Sequence, residues 1–282
     1  MKIKVLMENT SVDSRYVTEH GLSLYIETKN HNLLFDTGQS SGFLKNATTL
    51  NVAISKVDIV FLSHGHYDHG GGLKAFLEIN HHAKIYINAE AFSNLYSEKK
   101  DGKLVYIGID KDLINHKQII LLKGDCIIDE ELEVFANVSN NYSLPSMNQT
   151  LLRKRVVNQE AVYEKDDFTH EQSLIIYEGD QAVLIAGCAH HGIMNILESF
   201  HQRKGAFPDT VLSGFHLSSD RSGYIESKEI LNEISEYLEQ TKSNYYTGHC
   251  TGIIPYTFLQ ERLGYRLQYM YTGRSINLNH TP

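Results

Sequence analysis

What the chain lacks narrows its class first. No apolar run approaches the roughly 20 residues that a membrane-spanning helix needs, so a transmembrane segment is excluded by the sequence. The first ten residues, MKIKVLMENT, turn polar at Glu8. That is too soon for the apolar core of a secretory signal, and export is not expected. Cysteine is scarce: Cys126, Cys188 and Cys250 are the three in the chain, an odd number with no Cys-x-x-Cys pair. A disulfide framework is thereby excluded, and a reducing, cytoplasmic compartment is expected. An excess of positive charge is missing too, because 26 Lys and Arg face 34 Asp and Glu, a formal net charge of −8. Such a chain repels a phosphate backbone, so nucleic acid is disfavoured as a partner. There is no internal repeat and no low-complexity linker.

What is present is the balance of a folded protein, 41% hydrophobic and 21% charged over 282 residues, enough to bury a large core. Short apolar runs alternate with helical spacing. Strands are expected at Lys2 to Met7, Leu22 to Glu27, Asn32 to Phe35 and Val57 to Leu62, followed by a helix at Leu73 to Ile79. Further strands are expected at Ser173 to Tyr177, Ala182 to Ala186, Thr210 to Leu212 and Asn244 to Tyr246. Ile193, Ile196, Leu197 and Phe200 keep the spacing of a helix buried on one side, as do Ile230, Leu231, Ile234, Tyr237 and Leu238 within Glu226 to Gln240. An α/β fold of one domain, residues 1–282, follows. Residues 89–167, rich in Asn, Lys and Tyr, read as an irregular insertion that covers a site.

Fifteen histidines are the unusual count, and their spacing carries the chemistry. Ser63-His64-Gly65-His66-Tyr67-Asp68-His69-Gly70 follows a strand directly. Residues i and i+2 leaving a strand point the same way, so His64 and His66 can hold one metal ion. Asp68 and His69 lie past the bend, within reach of a second. Neutral imidazole is the commonest metal ligand, and a catalytic zinc site takes three protein ligands and keeps one position open. Gly65 and Gly70 to Gly72 permit the tight path of the loop.

These residues resemble the metallo-β-lactamase superfamily, a four-layer αββα sandwich with a one- or two-metal site. The resemblance runs through Leu34-Phe35-Asp36-Thr37-Gly38, the histidine loop, Gly187-Cys188-Ala189-His190, Gly214-Phe215-His216 and Gly248-His249-Cys250-Thr251-Gly252. With Glu8-Asn9-Thr10, the last three blocks look like one branch. That branch is named after the archaeal dihydropterin–ribofuranosylaminobenzene phosphate synthase of methanopterin biosynthesis. The resemblance implies His249 as the last histidine ligand and Cys188 in the place of a bridging aspartate. It leaves the middle ligand open. The general pattern points to His170, which precedes a strand, and the branch pattern to His190, which is preferred here. Asp36 is expected to hydrogen-bond the histidine loop without touching metal, since ligating histidines need such an orienting partner. His216 is placed at the same cleft as a proton donor or anion contact.

The expected activity is that of a metal-dependent hydrolase with two zinc ions, iron or manganese being the alternatives, acting on a small anionic or phosphorylated substrate. The metals would turn a bound water into a hydroxide near neutral pH, with Asp68 and His216 as catalytic groups. A homo-oligomer is compatible with the sequence. Two other readings compete. An RNA-processing nuclease of the same superfamily calls for a basic exosite and an aspartate at Cys188, and neither is present. A non-catalytic metal or ligand sensor has no use for so full a ligand set.

Overall fold

In Asn32–Phe35, Ile59–Phe61 and Gln181–Ile185 nearly every side chain is apolar, so each strand must be covered on both faces. The computed structural model, which describes residues 1–219 and 222–278, shows how. One seven-stranded sheet runs in the order Ser275–Asn277, Lys2–Met7, Ser23–Glu27, Asn32–Phe35, Ile59–Phe61, Lys84–Asn88, Ile119–Leu122. The other runs Leu267–Tyr269, Asn244–Thr247, Thr210–Ser213, Gln181–Ile185, Ser173–Glu178, Leu132–Phe135, Cys126–Ile127. Each has antiparallel pairs at one end and parallel strands at the other, in the first sheet after Asn32–Phe35 and in the second from Leu267–Tyr269 to Gln181–Ile185.

Period-two alternation then assigns every strand residue to a layer. Leu33, Phe35, Ile59 and Phe61 meet Leu174, Ile176, Val183 and Ile185 between the sheets. Leu34 and Val60 turn the other way, onto Phe43 of the helix Gly42–Thr49 and Leu73 and Phe76 of the helix Leu73–Ile79. On the far side, Ile175, Leu184 and Val211 pack against the helices Ile193–Lys204, Lys228–Thr241 and Ile253–Leu263. The layers are therefore α, β, β, α, as the sequence resemblance implies. Among the described residues, no helix is long and apolar enough to cross a membrane.

Residues 89–167 depart from expectation, because they are not irregular. Ile119–Leu122 extends the first sheet in parallel with Lys84–Asn88, and Leu132–Phe135 pairs antiparallel with Ser173–Glu178 in the second. Outside the sandwich stands a separate antiparallel sheet of Leu104–Tyr106, Asn94–Glu98, Leu151–Val157 and Glu160–Lys165. Its strands are half-exposed, or exposed throughout in Glu160–Lys165, with polar residues breaking the alternation, which is why the pattern is weak in sequence. Within this segment, Ile107 accepts from the Tyr67 amide (2.8 Å) and Ile109 donates to the Gly65 carbonyl (3.1 Å), so it grips the histidine loop from outside.

Phe200 is fully buried between helix and sheet, far along the helix from its Gly192 start. Phe200→Ala should cost about 3–5 kcal/mol through lost burial and a residual cavity. Urea unfolding should show a lower midpoint with an unchanged slope, and wild-type stability would contradict this packing.

Candidate metal centre

The parallel strands of both sheets deliver their C-terminal ends to one cleft, the place where layered α/β folds put their ligands. Asp36 follows Asn32–Phe35, the histidine loop follows Ile59–Phe61, Cys188 follows Gln181–Ile185, His216 follows Thr210–Ser213, and His249 follows Asn244–Thr247. The loop passes so close to its neighbour that a Cβ on Gly65 would lie 2.3 Å from the Ala91 carbonyl oxygen. Only glycine fits there.

Two groups of imidazoles converge. In the first, the ligand atoms of His64, His66 and His190 lie within 4.8 Å of one another. Asp36 accepts the Ser63 hydroxyl proton at 2.7 Å, which leaves that oxygen to accept from His64 Nδ1 at 2.9 Å. Asn148 donates its amide to the His190 carbonyl (2.7 Å), so its oxygen faces and accepts from His190 Nδ1 (3.1 Å). With both Nδ1 atoms protonated, the Nε2 lone pairs of His64 and His190 face each other at 3.3 Å. His66 Nε2, also buried, has no hydrogen-bond partner. Opposed lone pairs and an orphaned nitrogen are repulsive and costly by themselves, and a cation among them resolves both.

The second group is built the same way. His69 Nδ1 donates to Asp36 at 2.6 Å and His249 Nδ1 to the Asn9 carbonyl oxygen at 2.8 Å, bringing their Nε2 atoms to 3.3 Å. Cys188 Sγ lies 3.1 Å from His69 Nε2, and an Asp68 oxygen lies 3.5 Å from His249 Nε2 and 3.9 Å from His69 Nε2. Cys188 also groups with His64 and His69, which puts the sulfur between the two sets.

Electrostatics prepare these donors. Burial, reinforced by neighbouring imidazoles, holds His64 and His190 well below the ordinary histidine range and brings His66 down to about 3. His249 is lowered by burial as well. These rings are neutral at working pH, and no proton competes for their lone pairs. Burial would also lower His69, but the Asp36 carboxylate outweighs it and raises this ring to about 9. Burial opposes ionisation of Asp68, yet hydrogen bonds from His20 and His249 keep its carboxyl well below the usual value.

Of the two candidates for the middle ligand, His190, the preferred one, joins the first group, whereas His170 does not. Its Nδ1 accepts from the Gly65 amide (3.1 Å) and its Nε2 faces Asp166 (3.0 Å), so both nitrogens are committed to holding the loop. Asp36 sits where the sequence suggests, gripping Ser63 and His69. His216 lines the cleft, its ring 4.2 Å from that of His190. Neither of its buried nitrogens has a well-formed hydrogen bond, although the Cys250 thiol lies alongside.

Several contributors are absent from the sequence-based candidate list. Glu8 accepts from the His249 amide (2.6 Å), Glu171 from the amides of His190 (2.7 Å) and His191 (3.0 Å), and His20 meets Asp68 at 3.2 Å. Glu8 and Asn9 carried a signal, being polar residues directly after the first strand. Asn148, inside the supposed insertion, carried none.

The layers and the paired imidazole groups define an αββα protein with a candidate two-ion centre. The sequence profile of the metallo-beta-lactamase superfamily matches residues 17–138. An uncharacterized protein of Methanocaldococcus jannaschii is 31% identical over 263 residues, 92% of this chain and 94% of the relative. The 7,8-dihydropterin-6-methyl-4-(beta-D-ribofuranosyl)-aminobenzene-5'-phosphate synthase of the same archaeon is 25% identical, over 98% of this chain and 96% of its own. A crystal structure described as a metal-dependent hydrolase of the beta-lactamase superfamily aligns with a TM-score of 0.81 at 26% identity, covering 99% of each chain. The chain belongs to the metallo-beta-lactamase superfamily, whose members are mostly metal-dependent hydrolases.

The lowered histidines set the acid response of the metal-free protein. Below about pH 6.5 the unfolded chain takes up protons that folded His64, His66, His190 and His249 refuse, so stability present at neutral pH is lost toward pH 3. His69 acts oppositely, and its contribution is lost as pH rises through about 9. In chelated protein the urea midpoint should therefore peak near neutrality and fall on both sides. A flat profile from about pH 7.5 to 5.5 would contradict neutral, buried rings.

Proposed function

We propose that this protein is a hydrolase that holds two divalent ions, zinc foremost, and acts on a small anionic or phosphorylated compound. The observation that carries the reading is the opposed Nε2 contact of His64 and His190 at 3.3 Å beside the orphaned Nε2 of His66, with His69 and His249 brought equally close in a second group. His64, His66 and His190 would hold one ion; Asp68, His69 and His249 would hold the other, with Cys188 between. When bound, such ions supply Lewis acidity toward a phosphoryl or carbonyl oxygen and make a water nucleophile available near neutral pH.

The chain's own groups do the rest. Asp68, ionised and held by His20 and His249, orients the attacking water and takes up its proton at the free oxygen. His216 presents an imidazole nitrogen to the leaving group, where it donates a hydrogen bond or a proton. Phe168 stacks on His190 at 4.6 Å and 3°, walling that side of the cleft from solvent. A phosphorylated substrate is supported by the unsatisfied His216 nitrogens, which suit an anion, and by the phosphate in the printed name of the archaeal synthase. The −8 charge argues against a polyanionic RNA. A reducing cytoplasm suits a site that keeps Cys188 and Cys250 as free thiols.

Two measurements test this. Exhaustive chelation should abolish hydrolysis in a screen of phosphate esters and lactones and lower the melting temperature, with zinc restoring both. Metal-free protein that melts unchanged and stays active would sink the reading. Asp68→Asn should lower kcat by roughly 10²-fold or more at near-normal yield, because the charge is lost while the shape is kept.

Metal stoichiometry in two further variants separates the middle histidines. His190→Ala should lose most of one equivalent of zinc. His170→Ala should keep its zinc and melt earlier, since it removes a loop anchor. The reverse pattern would reassign the ligand.

A further inference from the structure

Beside the second imidazole group lies a donor that the reading above does not use. Cys250 directly follows His249 on the one-turn helix His249–Thr251, and its thiol is buried. The ligand atoms of Cys188, His249 and Cys250 lie within 4.8 Å of one another, and those of Cys188, His190 and His216 do likewise. Cys250 Sγ lies 3.7 Å from the Cys188 carbonyl oxygen and alongside the Cys188 thiol and the His216 ring.

Space has been reserved for this sulfur. A Cβ on Gly214 would sit 2.6 Å from Cys250 Sγ, although the Gly214 backbone is not in the left-handed region and does not itself require glycine. His216 lies alongside, and its buried ring nitrogens have no well-formed hydrogen bond beyond their approach to this thiol.

We propose that Cys250, together with Cys188, supplies sulfur to the second metal position and makes it a mixed imidazole–thiolate site. Such a site selects a soft ion such as zinc, cobalt or cadmium over manganese or magnesium, because thiolate sulfur is polarisable and binds hard cations poorly. The assignment rests on the two-ion reading above and adds to it the identity of the ion and a ligand that the histidine pattern omits.

Cobalt(II) added to the chelated protein gives a readout independent of activity. Wild-type protein should show sulfur-to-cobalt charge-transfer absorption in the near ultraviolet. Cys188→Ser and Cys250→Ser should each lose part of that band, and the double variant all of it, while the visible cobalt bands of the all-histidine site persist. Cadmium-113 resonance on wild-type protein needs no substitution, and one of two signals should fall in the downfield range of two-sulfur sites. Two bound cobalt ions with a full-strength band in Cys250→Ser, or a cadmium signal typical of a single sulfur, would overturn the role of Cys250 alone. Wild-type protein that binds no cobalt would overturn the two-ion reading and this one together.

Discussion

The grip of one buried carboxylate on two histidines is the constraint on which the centre depends. Asp36 accepts from the Ser63 amide, the Ser63 hydroxyl and His69 Nδ1, and Ser63 passes the same polarity on to His64. One fully buried side chain thereby fixes the tautomer of a ring in each metal group, turning Nε2 of both toward the cleft. The loop between His64 and His69 is short, and its carbonyls are pinned as well, with Thr37 donating its amide to the His69 oxygen at 2.7 Å.

That arrangement is expensive, and the backbone shows where. Asp36, Ala189, His216 and His249 all take left-handed φ values between 52° and 59° although none is glycine, and all four lie at strand ends around the cleft. Conformations of this kind cost of order 1 kcal/mol or more each and persist only where the surroundings over-determine them. Here the surroundings are two seven-stranded sheets covered on both sides, whose strands enter the cleft in fixed register. Glu8 and Glu171 complete the restraint by accepting the amides of His249 and His190, so the ligand backbones as well as their rings are held. Rigid ligands suit a metal, because little is left to order when the ion binds.

How much of this was legible in the sequence depended on whether a residue worked within its own segment. His64, His66, Asp68 and His69 sit within six residues, and alternation along a strand end was enough to see two groups. The buried strands read cleanly because both faces are apolar. The choice between His170 and His190 was not legible, since it turns on Asp166 and Gly65 occupying the two nitrogens of His170, a matter of folded geometry. Asn148 was hidden in a segment whose strands join three different sheets, where polar residues blur the alternation. His20 and Cys250 were visible as letters, but their value comes from partners far along the chain, Asp68 for the first and Cys188 and His216 for the second.

The two groups differ in charge, and this orders their roles. His64, His66 and His190 are neutral donors, so an ion held by them would keep its full double charge and could supply Lewis acidity. The other position has the anions: Asp68 beside it, Cys188 next to His69, and Asp36 behind His69. An ion held there would be largely neutralised and bound more tightly, which would favour anchoring over Lewis acidity. The electrophilic end of the cleft is therefore the all-imidazole one, and His216 packs against that end, on His190. Under the proposed function, a phosphoryl oxygen would be drawn to that side, with its leaving group beside His216 and Asp68 across the gap.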